Sequence, residues 1–212
     1  LDNRTHRPFA LPKVKQVRIE ALGDCDTLFL CTAISAMEQV LQEIAPLLKP
    51  NCLVADTCSV KIYPIQMMEK YLPSSVSILG THPMFGPDSA KAGLQGLPMI
   101  LTPVRLDSEL YKFWENTFLS LGLRVVQMSA VEHDREAAFT QGVAHFIGRV
   151  LKDMDLQPSP IATVGYRKLL EIMEQTCNDP WQLFLDLQSY NPYTPEMREK
   201  LQRSLKHILS KL

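Results

Sequence analysis

Five short apolar segments alternate with amphipathic segments in the first 128 residues of this 212-residue chain, and that alternation constrains the fold more than any other feature. The apolar segments have the length and composition of β-strands: TLFLCT (27–32), CLVADT (52–57), SVSILG (75–80), PMILTP (98–103) and LRVVQM (123–128). The intervening patterns predict helices at 35–48, 61–72 and 107–121. Such alternation is typical of βαβ units, so we expect an α/β fold with a parallel sheet.

The pattern changes at Ser129, beyond which the sequence predicts only helices. Ser129 and Glu132 have the spacing of a capping box, which favours a helix start there. The predicted helices are 129–154, 161–176, 180–190 and 194–211, the last with Thr194 as N-cap and Pro195 as its first helical residue.

This change divides the chain into two predicted domains, 1–128 and 129–212. About 80 residues of helix are too few to shield a large core by themselves. We therefore expect the second domain to pack against its own copy in a homodimer.

Composition excludes several function classes. A net charge of −1 gives no electrostatic footprint for nucleic acid or an anionic membrane, and no apolar run is long enough to span a bilayer. The stretch LDNRTHRPFALP has no apolar core typical of a secretory signal. The five cysteines are odd in number and form no CxxC pair, which predicts neither disulfides nor a metal site and fits a reducing, cytoplasmic compartment.

Small and hydroxyl-bearing residues follow three of the predicted strands, in CTAIS (31–35), DTCSVK (56–61) and GTHPMFG (80–86). In parallel α/β sheets, ligands bind outside the carboxyl ends of the strands. These loops are therefore candidates for a nucleotide and substrate site, the alternative being three ordinary strand–helix loops.

His82 is the sharpest candidate because it is fixed between Thr81 and Pro83 at the end of a predicted strand. Imidazole accepts protons near neutral pH, and the proline restricts the backbone of the preceding residue. We expect Gly80 and Gly86 to form tight turns on either side. The alternative is a histidine with a purely structural role.

Two further histidines lie in the first predicted helix of the second domain. Gln141 and His145 are four residues apart, so they share a face and are candidates for contact with a polar ligand, or for interior packing. His133 and Asp134 lie in the first turn with Glu132, and we interpret the three as capping and charge complementarity.

Two blocks, GTHPMFGPDSAKAG and EHDREAAFTQGVAHFIGRVLKDMDLQPSPIATVGYRKLLEIMEQT, resemble the arogenate/prephenate dehydrogenase family, in particular its plant-type arogenate enzymes. The resemblance runs from about Asp24 to the C-terminus. It implies a Rossmann-like dinucleotide-binding domain, a helical dimerisation domain, NAD or NADP as cofactor, and oxidative decarboxylation of arogenate to tyrosine or of prephenate to 4-hydroxyphenylpyruvate.

The resemblance also assigns roles. It makes His82 the catalytic base, places Ser59 beside it and the nicotinamide, and gives His145, with Gln141, contact to the substrate. The loop residues expected to bind the cofactor are Thr32, Ile34, Thr57 and Ser59.

Three departures from the family pattern qualify these expectations. Glu171 stands where many prephenate enzymes carry a carboxylate-binding arginine, and QGVAH replaces SHLPH; both favour arogenate over prephenate. The nine glycines form no GxGxxG turn, so we expect residues 1–212 alone to bind NAD(P) poorly. The alternatives are a prephenate dehydrogenase or a truncated, non-catalytic relative.

Overall fold

A five-stranded sheet is the centre of the first part of the chain. The computed structural model describes residues 14–212, so the expectation that the first residues carry no secretory signal lies outside the described residues. The strands are β1 (Thr27–Leu30), β2 (Leu53–Asp56), β3 (Ser77–Pro83), β4 (Pro98–Arg105) and β5 (Arg124–Gln127), in spatial order β1-β2-β3-β4-β5. All five lie where the sequence predicts strands, which confirms the α/β fold class.

The last two strands run against the first three. β1, β2 and β3 pair in parallel and β4 pairs in parallel with β5, but β3 and β4 are antiparallel. The segment 84–97 that joins them contains no helix. A parallel return needs a long crossover, usually helical, so the chain reverses direction instead.

The third strand is longer than its apolar run predicts. It extends to Pro83, so His82 lies within β3, opposite Ile100, and not in a turn after it. Gly80 is also a strand residue, and a Cβ there would lie 3.0 Å from Ile65 Cδ1. The predicted turn at Gly80 is therefore wrong, and this glycine serves close packing between β3 and its neighbours.

The described residues contain three short 3-10 helices, Ile19–Asp24, Ile34–Ala36 and Ala45–Leu47, and eight α-helices: α1 (Met37–Ile44), α2 (Ile62–Tyr71), α3 (Ser108–Ser120), α4 (Ala130–Phe139), α5 (Gln141–Asp153), α6 (Val164–Cys177), α7 (Trp181–Tyr190) and α8 (Thr194–Leu209). Helices α1 and α2 share one apolar core with one side of the sheet. Helix α3 covers the other side through Phe118 and a group of partly buried aromatic residues. The first strands are thus covered on both faces, as their continuous apolar runs indicate.

The helical region begins as predicted, with the Ser129–Glu132 capping box at the start of α4. The single helix expected over 129–154 is interrupted, because Thr140 leaves helical geometry (φ −115°, ψ −84°) between α4 and α5. Its hydroxyl donates to the carbonyl of Glu136 at 2.8 Å, and Gly142, a poor helix former, follows it.

The last helix also differs from expectation at its first residue. Tyr193 is its N-cap, whereas Thr194 is helical and donates its hydroxyl to the carbonyls of Gln188 and Asn191. Within residues 14–212, no helix combines the length and apolarity that a membrane span requires.

Candidate active site

The carboxyl ends of β1, β2 and β3 lie side by side. Leu30 pairs with Asp56, and Asp56 pairs with Gly80, so the loops that follow these strands emerge at one edge of the sheet. This register brings together the three loops identified in the sequence, at the edge where α/β proteins bind ligands.

His82 is buried, with 2% of its surface exposed, and its ring contacts a second histidine. Nδ1 of His82 lies 2.8 Å from Nε2 of His133, in the first turn of α4. Nε2 of His82 makes no hydrogen bond within the part of the chain that the structure describes. One ring nitrogen is therefore held, and the other is available to a ligand.

The second histidine is held in turn by a carboxylate. Nδ1 of His133 lies 2.8 Å from Oδ1 of Asp134. The same carboxylate accepts the backbone N–H groups of Lys61 and Ile62, at 2.6 and 2.9 Å, at the start of α2. A helix N-terminus favours negative charge, so α2 anchors Asp134 firmly. We call His82, His133, Asp134 and Lys61 the His82 cluster.

The side chain of Lys61 ties the underlying strands together. Its ammonium, which has no exposed surface, is paired with Asp56 of β2 and donates to the carbonyl of Thr81 of β3 at 2.6 Å. Asp56 also accepts the N–H of Cys58 at 2.9 Å. The ion pair and its hydrogen bonds fix the backbone immediately before His82.

These surroundings set the protonation of His82. Burial lowers the pKa of His82 well below its usual range, and the neighbouring His133 and the Lys61 cation act in the same direction. His82 is therefore neutral at physiological pH and has a lone pair free to accept a proton. Burial has the opposite effect on the nearby thiol, since it raises the pKa of Cys58 and keeps the thiol protonated.

The predicted cofactor-loop residues occupy the neighbouring loops. Ile34 is buried, and the Thr32 hydroxyl is buried without a hydrogen-bond partner in the described part of the chain. Thr57 donates its hydroxyl to the carbonyl of Leu30, which joins the β2 loop to β1. Ser59 is partly buried and makes no side-chain hydrogen bond within residues 14–212.

The loop after β1 is also bound to the helical region. Asp186 of α7 is buried and accepts both the backbone N–H of Ser35 (3.0 Å) and its hydroxyl (2.9 Å). Gln182 donates to the other oxygen of the same carboxylate. This contact fixes the β1 loop against α7.

Gln141 and His145, which we call the α5 pair, share no hydrogen bond with the His82 cluster within residues 14–212. His145 is buried, and its Nε2 lies 3.9 Å from Asp179, beyond hydrogen-bond distance. Its Nδ1 and the amide oxygen of Gln141 are both buried without a partner in the described residues. No hydrogen bond found within residues 14–212 joins this pair to His82.

Sequence reasoning missed the contribution of His133 and Asp134. The interpretation as capping holds for Glu132 alone, since His133 and Asp134 are buried together with Ala137 and Ala138. Two adjacent residues and the pair four positions later share one helix face. In the sequence, the alanines at 137 and 138 are the signal that the same helix face, with His133 and Asp134, turns inward.

The fold and the site define a class: an α/β nucleotide-binding domain whose strand ends carry a buried, neutral histidine, followed by a helical region. A family model described as "Prephenate dehydrogenase, nucleotide-binding domain" matches residues 11–127, and one described as "TYRAAT1-like, C-terminal domain" matches residues 150–212. The chain therefore belongs to the prephenate dehydrogenase family.

Known relatives agree with this membership. The chain is 38% identical to arogenate dehydrogenase 2, chloroplastic, of Arabidopsis thaliana over 193 residues, which cover 88% of this chain and 54% of that protein. The chain thus spans about half the length of this relative.

Solved structures support the fold alone, since their sequence identities are low. The arogenate dehydrogenase of Synechocystis has a TM-score of 0.68 at 19% identity, covering 91% of this chain and 73% of that one. The prephenate dehydrogenase of A. aeolicus, solved with hydroxyphenyl propionate and NAD+, has a TM-score of 0.72 at 20% identity, covering 92% and 72%.

Proposed function

We propose that this chain belongs to an NAD(P)-dependent dehydrogenase of tyrosine biosynthesis that oxidatively decarboxylates arogenate to tyrosine. The observation that carries the proposal is the buried, neutral His82 at the carboxyl edge of the sheet, in a chain of this family. Prephenate is the competing substrate, because the family model and the A. aeolicus relative are named for it.

The residues at the sheet edge fit the nicotinamide end of a dinucleotide. Thr32 offers a buried hydroxyl without a partner in the described chain, and Ser59 offers a partly exposed one. With Ile34 and Thr57 they would line this end of the cofactor. The chain's glycines form no GxGxxG, so these residues do not include a glycine-rich pyrophosphate turn.

NAD or NADP, when bound, supplies a nicotinamide ring that accepts a hydride. In the proposed reaction the substrate carbon that bears the hydroxyl loses this hydride. The ring carboxylate leaves as CO2, and its bonding electrons complete the aromatic ring. Nε2 of His82 accepts the hydroxyl proton while the C–O bond gains double-bond character, and returns it to the oxygen as the phenol forms. The rigid cluster behind His82 keeps that nitrogen aimed at the hydroxyl.

The α5 pair is the proposed contact to the polar groups of the substrate. Its buried amide oxygen and imidazole nitrogen gain hydrogen-bond partners if a substrate donor reaches them. Glu171, which stands in place of a carboxylate-binding arginine, is exposed on α6. A carboxylate there favours the ammonium of arogenate over the keto acid of prephenate.

Steady-state assays of the full-length protein test this function. We expect a higher kcat/KM for arogenate than for prephenate, with NAD and NADP each tried as cofactor. The Glu171→Arg variant should shift the ratio toward prephenate, with Glu174→Arg on the same helix as the control. Equal or reversed preference in the unmodified protein contradicts arogenate as the substrate.

We further propose that residues 1–128 and 129–212 form two domains, and that the second makes a homodimer. Exposed apolar side chains lie along the helical region, among them Val164 of α6 and Leu205 and Ile208 of α8. The net charge of −1 supports a second copy as the partner over nucleic acid or a membrane surface. Light scattering at micromolar concentration should give twice the monomer mass, and Leu205→Glu should lower it.

We also propose that the protein works in a reducing compartment, with the cytoplasm as the first candidate. All five cysteines are free thiols. The Arabidopsis arogenate dehydrogenase 2 is named chloroplastic, so the chloroplast is the competing location. Microscopy of the tagged full-length protein distinguishes the two.

A further inference from the structure

We propose that His133 and Asp134 are positioning residues that fix His82 in the tautomer whose Nε2 has a free lone pair. The inference deepens the proposed function and depends on it for its catalytic meaning. It stands on a continuous line of contacts from α2 through α4 to β3.

The line begins at Asp134, whose carboxylate is surrounded by donors. The backbone N–H groups of Lys61 and Ile62 can only donate, so both carboxylate oxygens accept. Oδ1 also lies 2.8 Å from Nδ1 of His133. An acceptor at that distance requires a proton on Nδ1 of His133.

The tautomer of His133 determines the tautomer of His82. With Nδ1 as the one protonated nitrogen of its ring, His133 has a lone pair on Nε2. Nε2 lies 2.8 Å from Nδ1 of His82, which must therefore carry the proton of the His82 ring. The remaining nitrogen of His82, Nε2, is unprotonated and can act as the base.

Three separate parts of the chain hold the hydrogen-bonded series Asp134–His133–His82, so both of its ends are fixed. Asp134 is held by α2, and the amide of Asn191, after α7, donates to the backbone carbonyl of Asp134 at 2.7 Å. His82 is held in the ladder between β3 and β4. Neither end can turn to offer the opposite hydrogen-bonding pattern without losing a buried partner.

The charged and titratable groups around His82 are compatible with this assignment. Lys61 of α2 is paired with Asp56 of β2, and the carboxylate of Asp134 lies on the far side of His133. The Lys61 ammonium bonds Asp56 and the carbonyl of Thr81 and neither ring nitrogen of His82, so the hydrogen bond to His133 decides which nitrogen of His82 is protonated.

The direct test is 15N NMR of histidine ring nitrogens in the full-length protein at neutral pH. The chain has five histidines, so each ring can be assigned by its own His→Gln substitution. We expect His82 to be protonated on Nδ1, and we expect Asp134→Asn or His133→Phe to move protonation to Nε2. An Asn side chain cannot accept from all three donors, and Phe offers His82 no acceptor.

Kinetics provide the second readout. His133→Phe and Asp134→Asn should each lower kcat for arogenate by about 10- to 100-fold, or about 1.4 to 2.7 kcal/mol, with little change in KM. His133→Gln should retain most of kcat, because its amide oxygen can reach the position of the lost Nε2 and accept from His82. If Asp134→Asn does not fold, the pair His133→Gln and His133→Phe carries the test.

Protonation of His82 on Nε2 in the unmodified protein overturns the inference. So does a tautomer that His133→Phe leaves unchanged, or an equal loss of kcat in the Gln and Phe variants. A protein that shows the expected tautomer but oxidises neither arogenate nor prephenate contradicts the proposed function and leaves the tautomer assignment supported.

Discussion

Two of the three buried histidines, His82 and His145, differ in the partners that surround them. His82 begins a line of hydrogen bonds that ends on the backbone of α2. His145 has a carboxylate 3.9 Å from one ring nitrogen, and its other nitrogen is buried without a partner in the described residues. The hydrogen bonds that hold the His82 ring are all made within the protein, whereas the α5 pair keeps buried polar atoms without a partner in the described residues.

This difference indicates that the two groups of residues have different functions. A buried polar atom that lacks a partner costs about 1–3 kcal/mol, and the α5 pair contains two such atoms. A ligand that supplies the missing partners recovers part of that cost on binding. A filled network contributes differently, since it fixes the direction of a reacting group. We therefore expect the His82 cluster to control kcat and the α5 pair to control KM.

The largest expected effect is the loss of His82. His82→Asn should lower kcat by roughly 10²–10⁴-fold, the usual range for removing a general base, with little change in thermal stability. Turnover of arogenate by the full-length protein is the measurement. His207→Asn, at an exposed position of α8, is the control and should retain full activity. A loss below tenfold would exclude His82 as the base.

Breaking the buried ion pair between Lys61 and Asp56 should cost more stability than breaking an exposed one. Lys61→Met leaves Asp56 buried without its cation, which should lower the free energy of unfolding by about 3–5 kcal/mol. Lys70→Met removes a pair with Glu38 that is largely exposed, and should lower the free energy of unfolding far less. Urea unfolding measures both variants. Similar values for the two would show that burial of the first pair carries no extra cost.

Substitution in the α5 pair should affect substrate binding more than turnover, and should not lower stability. His145→Phe should raise KM for arogenate about tenfold, near the value of one hydrogen bond, while kcat changes less. Because the variant removes a buried nitrogen without a partner, the protein should unfold at the same or a higher urea concentration. A fall in kcat with unchanged KM would place His145 with the His82 cluster instead.

The smallest expected effect is on the pH dependence of stability. Burial lowers the pKa values of His82 and His145 in the folded protein, whereas in the unfolded chain both titrate near 6.5. Below that pH the unfolded state gains protons that the folded state does not, so stability falls as pH drops from about 6.5. Each group contributes at most about 1.4 kcal/mol per pH unit.

Urea unfolding between pH 7.5 and pH 5 measures this slope. His82→Asn should reduce the slope more than His145→Phe does, because His82 is the more deeply buried. An unchanged slope in both variants would mean that other groups cause the acid sensitivity.

Much of the fold could be predicted from local patterns. The five strands, the first three helices and the start of α4 lie where apolar periodicity and the Ser129–Glu132 spacing indicate them. His82 and the three loops at one sheet edge were also identifiable, since parallel strands place their carboxyl ends together. Helix ends were less accurate, because the break at Thr140 depends on packing as well as on propensity.

The sequence by itself determined the features that depend on contacts between residues a few positions apart. These are the alternation of strands and helices, the capping box and the apolar faces. The tertiary structure alone decided the reversed direction of β4 and β5, the position of His82 inside a strand, and its partners. His133 is 51 residues from His82, and Asp134 is 73 residues from Lys61. No local periodicity encodes such pairings, since they arise only when helix α4 packs against α2 and buries polar groups that must then be hydrogen-bonded.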